Sequence, residues 1–151
     1  MGNLRGPARA PYVLAGQTTF QGAVDACCDL GMHLIQPIGT ADSMAIQKFM
    51  NDNQITSYGA WFARNGADGS FHYGDSSIVS TSNWQVGEPT ETGTGTACAF
   101  VSASAANGVW KGFPGCDEAA EWAICEGAVE WAICEGQRPR ERQTAWQYRH
   151  S

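Results

Sequence analysis

The sequence predicts an α+β domain, and three features carry that reading. Two stretches with helical apolar spacing fall before Asn53. From Tyr58 onward the chain reads as short aromatic or β-branched runs separated by Gly, Asn and Pro. Six cysteines stand at wide spacing, the pattern of disulfides in an oxidising compartment. Helices first and strands afterwards make segregated layers, not the alternation of a parallel βαβ sheet. The 151 residues suit one domain with a single sizeable core, and 43% apolar against 16% charged is a globular composition.

The first eleven residues read as an unstructured lead. Thr18-x-x-Gln21 has the form of a capping box, and Phe20, Ala23, Val24 and Cys27 follow at i, i+3, i+4, i+7 spacing. Gly31 suits the position just past a helix end, so the spacing predicts a helix from Thr19 to Leu30. "MHLIQPIG" is an apolar stretch expected as a strand stopped by Pro37. Thr40 is the expected cap of a second helix through "ADSMAIQKFM", with Met44, Phe49 and Met50 inward and Asn51-Asp52-Asn53 ending it. "YGAWFA", "GSFHYG", "TACAFVSA", "GVWKG" and "EWAICE" are the expected strands.

A repeat sits near the end: "AEWAICEG" (Ala120–Gly127) is followed by "VEWAICEG" (Val129–Gly136). Its period of nine is odd, so a continuous strand would turn the two copies to opposite faces, and only one copy can fill a strand slot in register. The other is either an added hairpin strand or a tandem duplication hanging off the domain; the second is the expectation. The expected organisation is a lead at 1–11, a domain at 12–127, and a duplicated segment with a basic tail at 128–151.

The net charge of −6 is uneven. Residues 1–136 carry five basic and fourteen acidic groups, a net of −9, whereas "QRPRERQTAWQYRHS" carries four Arg against one Glu, a net of +3. An acidic body excludes a general nucleic-acid binder, which needs clustered Lys and Arg. The tail reads as a solvated terminus, with an acidic partner, such as the body of another copy, as the sharper alternative. No run of 18 apolar residues suggests a membrane span, and "MGNLRGPARAPYVLAG" contains no apolar signal-peptide core, so an export signal is expected to be missing from this chain. No pair of cysteines has C-x-x-C spacing, and His33, His72 and His150 are scattered, which argues against zinc. Without a nucleophile elbow, H-E-x-x-H, P-loop or dinucleotide fingerprint, catalysis is not expected.

Six pieces in order carry a family resemblance. They are Ala23-x-x-x-Cys27-x-x-x-Gly31-Met32-x-Leu34, "AWFA" (Ala60–Ala63), "GSFHYG" (Gly69–Gly74), and Asn83-Trp84-x-x-Gly87-Glu88-Pro89; then Cys98, Cys116 and Cys125 in sequence, and a closing "WAICE". From Tyr12 to Glu126 the chain resembles C-type lectin-like domains of the short, invertebrate-like form. That resemblance implies two helices flanking short antiparallel sheets with a long loop region, stapled by disulfides. It also implies the pairs Cys27–Cys125 and Cys98–Cys116. The first would close roughly 98 residues, worth on the order of 4–5 kcal/mol in the chain-entropy model, and the second about 18, worth roughly 3. Cys28 and Cys134 are left unassigned. They could pair with each other, bridge to another chain or remain thiols, and Cys134 could replace Cys125; a buried thiol is the expectation for Cys28.

In sugar-binding members the resemblance implies a calcium ion in the long loop, held by Glu-Pro-Asn or Gln-Pro-Asp, by an acidic residue before the third cysteine, and by Asn-Asp after a tryptophan. Calcium requires about six to eight oxygens with carboxylates among them. Here the first element reads Glu88-Pro89-Thr90, the acidic position is Thr96, and the last element reads Trp110-Lys111-Gly112. Glu88 alone matches, Pro89 stands where the family uses a cis peptide, and the Lys111 ammonium opposes a cation and could pair with Glu88. Glu91 is a possible compensating carboxylate. The expected ligand-binding loop is therefore Glu88, Pro89, Thr90, Glu91, Thr96 and Lys111, with Glu88 as the one candidate metal ligand and calcium disfavoured. Trp84, Trp110, Phe71 and Tyr73 are expected to pack beneath it.

These residues imply a secreted, extracellular recognition module that binds glycans through a degenerate calcium site. The alternative is a non-sugar role in protein–protein recognition or in extracellular matrix or filament assembly. That role would include a homo-oligomer linked through Cys28, Cys134 or the basic tail.

Overall fold

Thr19 sets where the first helix begins. Its backbone is extended, and its hydroxyl accepts the Gly22 N–H at 2.9 Å, so the cap of α1 (Phe20–Asp29) lies one residue later than the expected box. At the other end Met32 N–H reaches Cys27 O and Gly31 N–H reaches Cys28 O, with Gly31 at φ 72°. This is the six-to-one, five-to-two bond pair that a left-handed glycine permits. The structure is a computed structural model and describes residues 12–90, 96–130, 134 and 136. The expected lead and basic tail lie outside them.

Thr18 belongs instead to β1 (Val13–Thr18), a strand that "VLAGQT" does not announce. It exists because β7 (Glu121–Glu126) pairs with it from Val13↔Cys125 to Thr18↔Glu121, across an irregularity between Leu14 and Gly16. The stretch before Pro37 shortens to β2 (His33–Leu34), also on β7. Pro37 has no N–H to offer a ladder, and its carbonyl accepts the Tyr73 hydroxyl at 2.5 Å. In α2 (Gly39–Asp52) Thr40 is not the cap. Ile38 is the cap, its N–H donates to Asp42 Oδ2, and the Thr40 hydroxyl donates to Asn83. Ser43, Ile46 and Met50 form the buried stripe, and Phe49 packs on Tyr12. Met44 lies one helical step off that stripe and is 48% exposed, contrary to expectation.

β3 (Gly59–Asn65), β4 (Phe71–Tyr73), β5 (Cys98–Ser102) and β6 (Trp110–Phe113) complete a seven-stranded sheet. Its order is β1-β7-β3-β5-β6, with β2 added on β7 and β4 on β3. The β3–β7 contact, Ala60↔Trp122, is parallel and the other ladders are antiparallel. Trp61, Phe62 and Trp110 are fully buried, Trp61 edge-on to Phe20 of α1 and Phe62 against Trp110. Trp61 Nε1 donates to Thr18 O and Trp110 Nε1 to Ser43 Oγ, both at 2.7 Å. Truncating one such ring to Ala costs about 3–5 kcal/mol, because a cavity remains where contacts were.

The first copy of the repeat fills β7. In the second, Cys134 N–H donates to Glu130 O in an i to i−4 bond, and Cys134 and Gly136 have helical backbone. Val129 N–H bonds Gly31 O, and Cys28 is disulfide-bonded to Cys134, so this copy is fastened to the end of α1. The expectation of a free buried thiol at Cys28 is therefore corrected, as is that of an interchain link through Cys28 or Cys134. The two residues meet within one chain at a Cα separation of 5.5 Å. Cys27 is bonded to Cys125, and Cys98 to Cys116, each pair with Cα atoms 5.3 Å apart.

Candidate functional site

The residues from Asn83 to Glu88 run beside the edge strand β6. Trp110 N–H donates to Asn83 O and Gln85 N–H to Trp110 O, while Asn83 Nδ2 donates to Asn107 O. Glu88 N–H then closes on Gln85 O at 2.8 Å. Gly87 at φ 88° occupies the turn position that favours glycine, and Val86 at the tip is 100% exposed. The Glu88–Pro89 peptide is cis.

Beyond the turn, Glu88 Oε1 accepts two amides, Gly112 N–H at 3.1 Å and Thr90 N–H at 3.2 Å. Gly112, which the sequence presents as a lost ligand, is thus the donor that fixes the carboxylate. Glu88 Oε2 has no partner among the described residues. Lys111 does not pair with Glu88. It stands opposite Phe100 in the β5–β6 ladder, which directs its side chain to the Phe100 side of the sheet. Thr90 is exposed, and Glu91 lies outside the described residues. Thr96 sits elsewhere, in a depression of about 300 Å³ shared with Arg64, Pro114, Asp117 and Glu118.

Pro89 walls a separate groove of about 250 Å³, lined also by Phe71, Trp84, Ser70, Thr81 and Asn65. Phe71 and Trp84 lie 5.3 Å apart between ring centres, and Trp84 meets Trp110 edge-on at 5.5 Å, so the same rings support the loop and line the groove. Asn65 is 1% exposed and its Oδ1 has no hydrogen-bond partner among the described residues. A polar residue closing the apolar run "GAWFARN" was the available signal for it, and the sequence reading passed over it. Near it on the β3–β4 hairpin, His72 Nε2 meets Asp68 Oδ1 and His72 Nδ1 meets Ser76 O, each at 3.0 Å. Acceptors at both nitrogens favour the doubly protonated ring, so the Asp68 hydrogen bond and then the Ser76 carbonyl raise the His72 pKa. The same bond lowers that of Asp68.

Calcium does not fit this donor set. Among the described loop positions Glu88 contributes the one carboxylate, and one of its oxygens is already bound by two amides. Among the described residues no group of three His, Cys, Asp or Glu is placed to hold a metal ion. Nor is any described helix long and apolar enough to cross a membrane.

No family model and no curated protein matches the chain. Solved structures do. Human lithostathine aligns with a TM-score of 0.65 at 17% identity, over 78% of this chain and 91% of that one. The mouse scavenger receptor C-type lectin carbohydrate-recognition domain aligns at 0.60 and 24%, over 79% and 90%. The cow C-type carbohydrate-recognition domain of CD23, solved with a GlcNAc2Man3 oligosaccharide, aligns at 0.59 and 24%, over 79% and 88%. The chain has the C-type lectin-like fold.

Proposed function

We propose that this C-type lectin-like domain is an extracellular recognition module that binds glycans without calcium, through Glu88 and the groove walled by Pro89. The observation that carries the reading is the Glu88 carboxylate. Two amides hold Oε1, leaving Oε2 as an oriented acceptor for a sugar hydroxyl. Hydroxyls of Ser70 and Thr81 and the rings of Phe71 and Trp84 line the adjoining groove, a mixture suited to the polar and C–H faces of a sugar. Three disulfides support an oxidising, extracellular setting. The module is not an enzyme; fold alone does not specify the ligand, which has to be argued from the site.

Glycan-array binding with and without chelator tests this. Chelator-insensitive binding that falls at least tenfold in Glu88→Ala is expected. Binding abolished by chelator, together with calorimetric calcium uptake, would overturn it. A protein ligand on the same face is the second reading, favoured by the fully exposed Val86 beside Glu88. An array silent under both conditions would select it.

A further inference from the structure

Residues 119–127 (AAEWAICEG) and 128–136 (AVEWAICEG) differ at a single position, Ala120 against Val129. Every side chain that β7 presents to β1, β2 and β3 therefore recurs nine residues later: Glu130, Trp131, Ala132, Ile133, Cys134 and Glu135 repeat Glu121–Glu126. The cysteines are doubled on the opposing helix as well. Adjacent Cys27 and Cys28 are both buried, and they bond the equivalent cysteines of the two copies, Cys125 and Cys134. In the present register the first copy is a strand, while the second carries a helical bond from Cys134 N–H to Glu130 O. The two copies have the same hexapeptide sequence, and Cys134 carries a helical bond where its equivalent Cys125 lies in a strand, so the local sequence does not prescribe which copy enters the sheet.

We propose that the β7 slot accepts either copy, and that thiol–disulfide exchange carries the domain between the two registers. The exchange needs only a catalytic external thiol. Its thiolate attacks Cys125 and releases the Cys27 thiolate. Cys27 attacks Cys134 and releases Cys28, and Cys28 attacks the mixed disulfide at Cys125 and returns the external thiol. Two disulfides are present before and after, with no net oxidation. The stretch between Cys116 and the strand lengthens from residues 117–120 to residues 117–129. Loop closure disfavours that by about sixfold, and the Val129–Gly31 hydrogen bond further favours the present register. The lengthened stretch emerges where Asp117 and Glu118 border the Thr96 depression. The exchanged register therefore adds nine residues to the stretch after Cys116, with Cys125 in that stretch tied to Cys28 at the end of α1.

Two double variants isolate the slot. Cys28→Ser/Cys134→Ser keeps the Cys27–Cys125 bond. Cys28→Ser/Cys125→Ser leaves Cys134 as the only new partner for Cys27. Hydrogen exchange by mass spectrometry reads which copy is protected, because Ala120 and Val129 distinguish the peptides. The expected result is a folded Cys28→Ser/Cys125→Ser protein with a Cys27–Cys134 bond and slow exchange in residues 131–134. In the wild type, equilibration in a glutathione redox buffer should give slow exchange in the first copy and a minor, slow-exchanging population in the second. A Cys28→Ser/Cys125→Ser protein that unfolds while its counterpart folds would overturn the proposal. So would protection that stays in residues 122–125. If both double variants unfold, wild-type protection confined to the first copy overturns it.

Discussion

Replacing Glu121 with Gln should remove a pH-dependent loss of stability of about 3 kcal/mol. Glu121 opens β7 and is 3% exposed; its Oε1 has no hydrogen-bond partner among the described residues, and Gly59 N–H is its backbone donor. Burial pushes its pKa from the ordinary 4.5 up to about 7, against the smaller, opposite effect of that N–H. The unfolded chain releases this proton near 4.5, while the fold holds it to about 7. Rising pH therefore favours the unfolded state across that window, and the loss is complete above it. Each pH unit between the two values is worth about 1.4 kcal/mol, which gives the total. Gln is neutral and nearly isosteric, so the variant escapes this loss. Urea unfolding of both proteins with disulfides intact, from about pH 4.5 to pH 8, measures the difference. Similar stabilities are expected at the acidic end, with the variant gaining progressively to about 3 kcal/mol. A difference that stays flat across the range would refute the reasoning.

Two further outcomes are expected. Converting both Cys98 and Cys116 to Ala removes an 18-residue closure worth about 3 kcal/mol, which should lower the melting temperature by about 6–12 °C; an unchanged thermal melt would mean the bridge does not staple the loop. Asp68→Asn should lower the His72 pKa toward its ordinary 6.5, because the Asp68 hydrogen bond is the largest influence raising it. In the wild type this clamp on the hairpin is complete below that ordinary value and is lost as pH rises through the raised one. Proton NMR of the imidazole follows both, and an unmoved titration in the variant would count against the clamp.

Much of the frame is written in local pattern. The α1 stripe and Gly31 at its end are visible because a helix buries every third or fourth residue and a left-handed end favours glycine. The core placement of Trp110 and Tyr73 follows from large rings in short strands. The site is less visible. Thr96 and Pro89 are near in sequence yet line different hollows, and Gly112 acts through a backbone N–H that no side-chain pattern reveals. Met44 and Lys111 were misplaced because both depend on which face a neighbouring element covers.

The sequence by itself determined the α+β class, the order of elements from α1 onward, the cysteine doublet and the Glu88-Pro89 loop, since these rest on periodicity, capping and composition along a continuous stretch. Tertiary structure alone decided which "EWAICE" becomes β7, that Cys28 meets Cys134, and that Glu121 is buried with an unpaired oxygen. The physical reason is that identical hexapeptides have identical local preferences. Only distant partners, β1, β2 and β3 around one copy and the end of α1 against the other, can tell them apart.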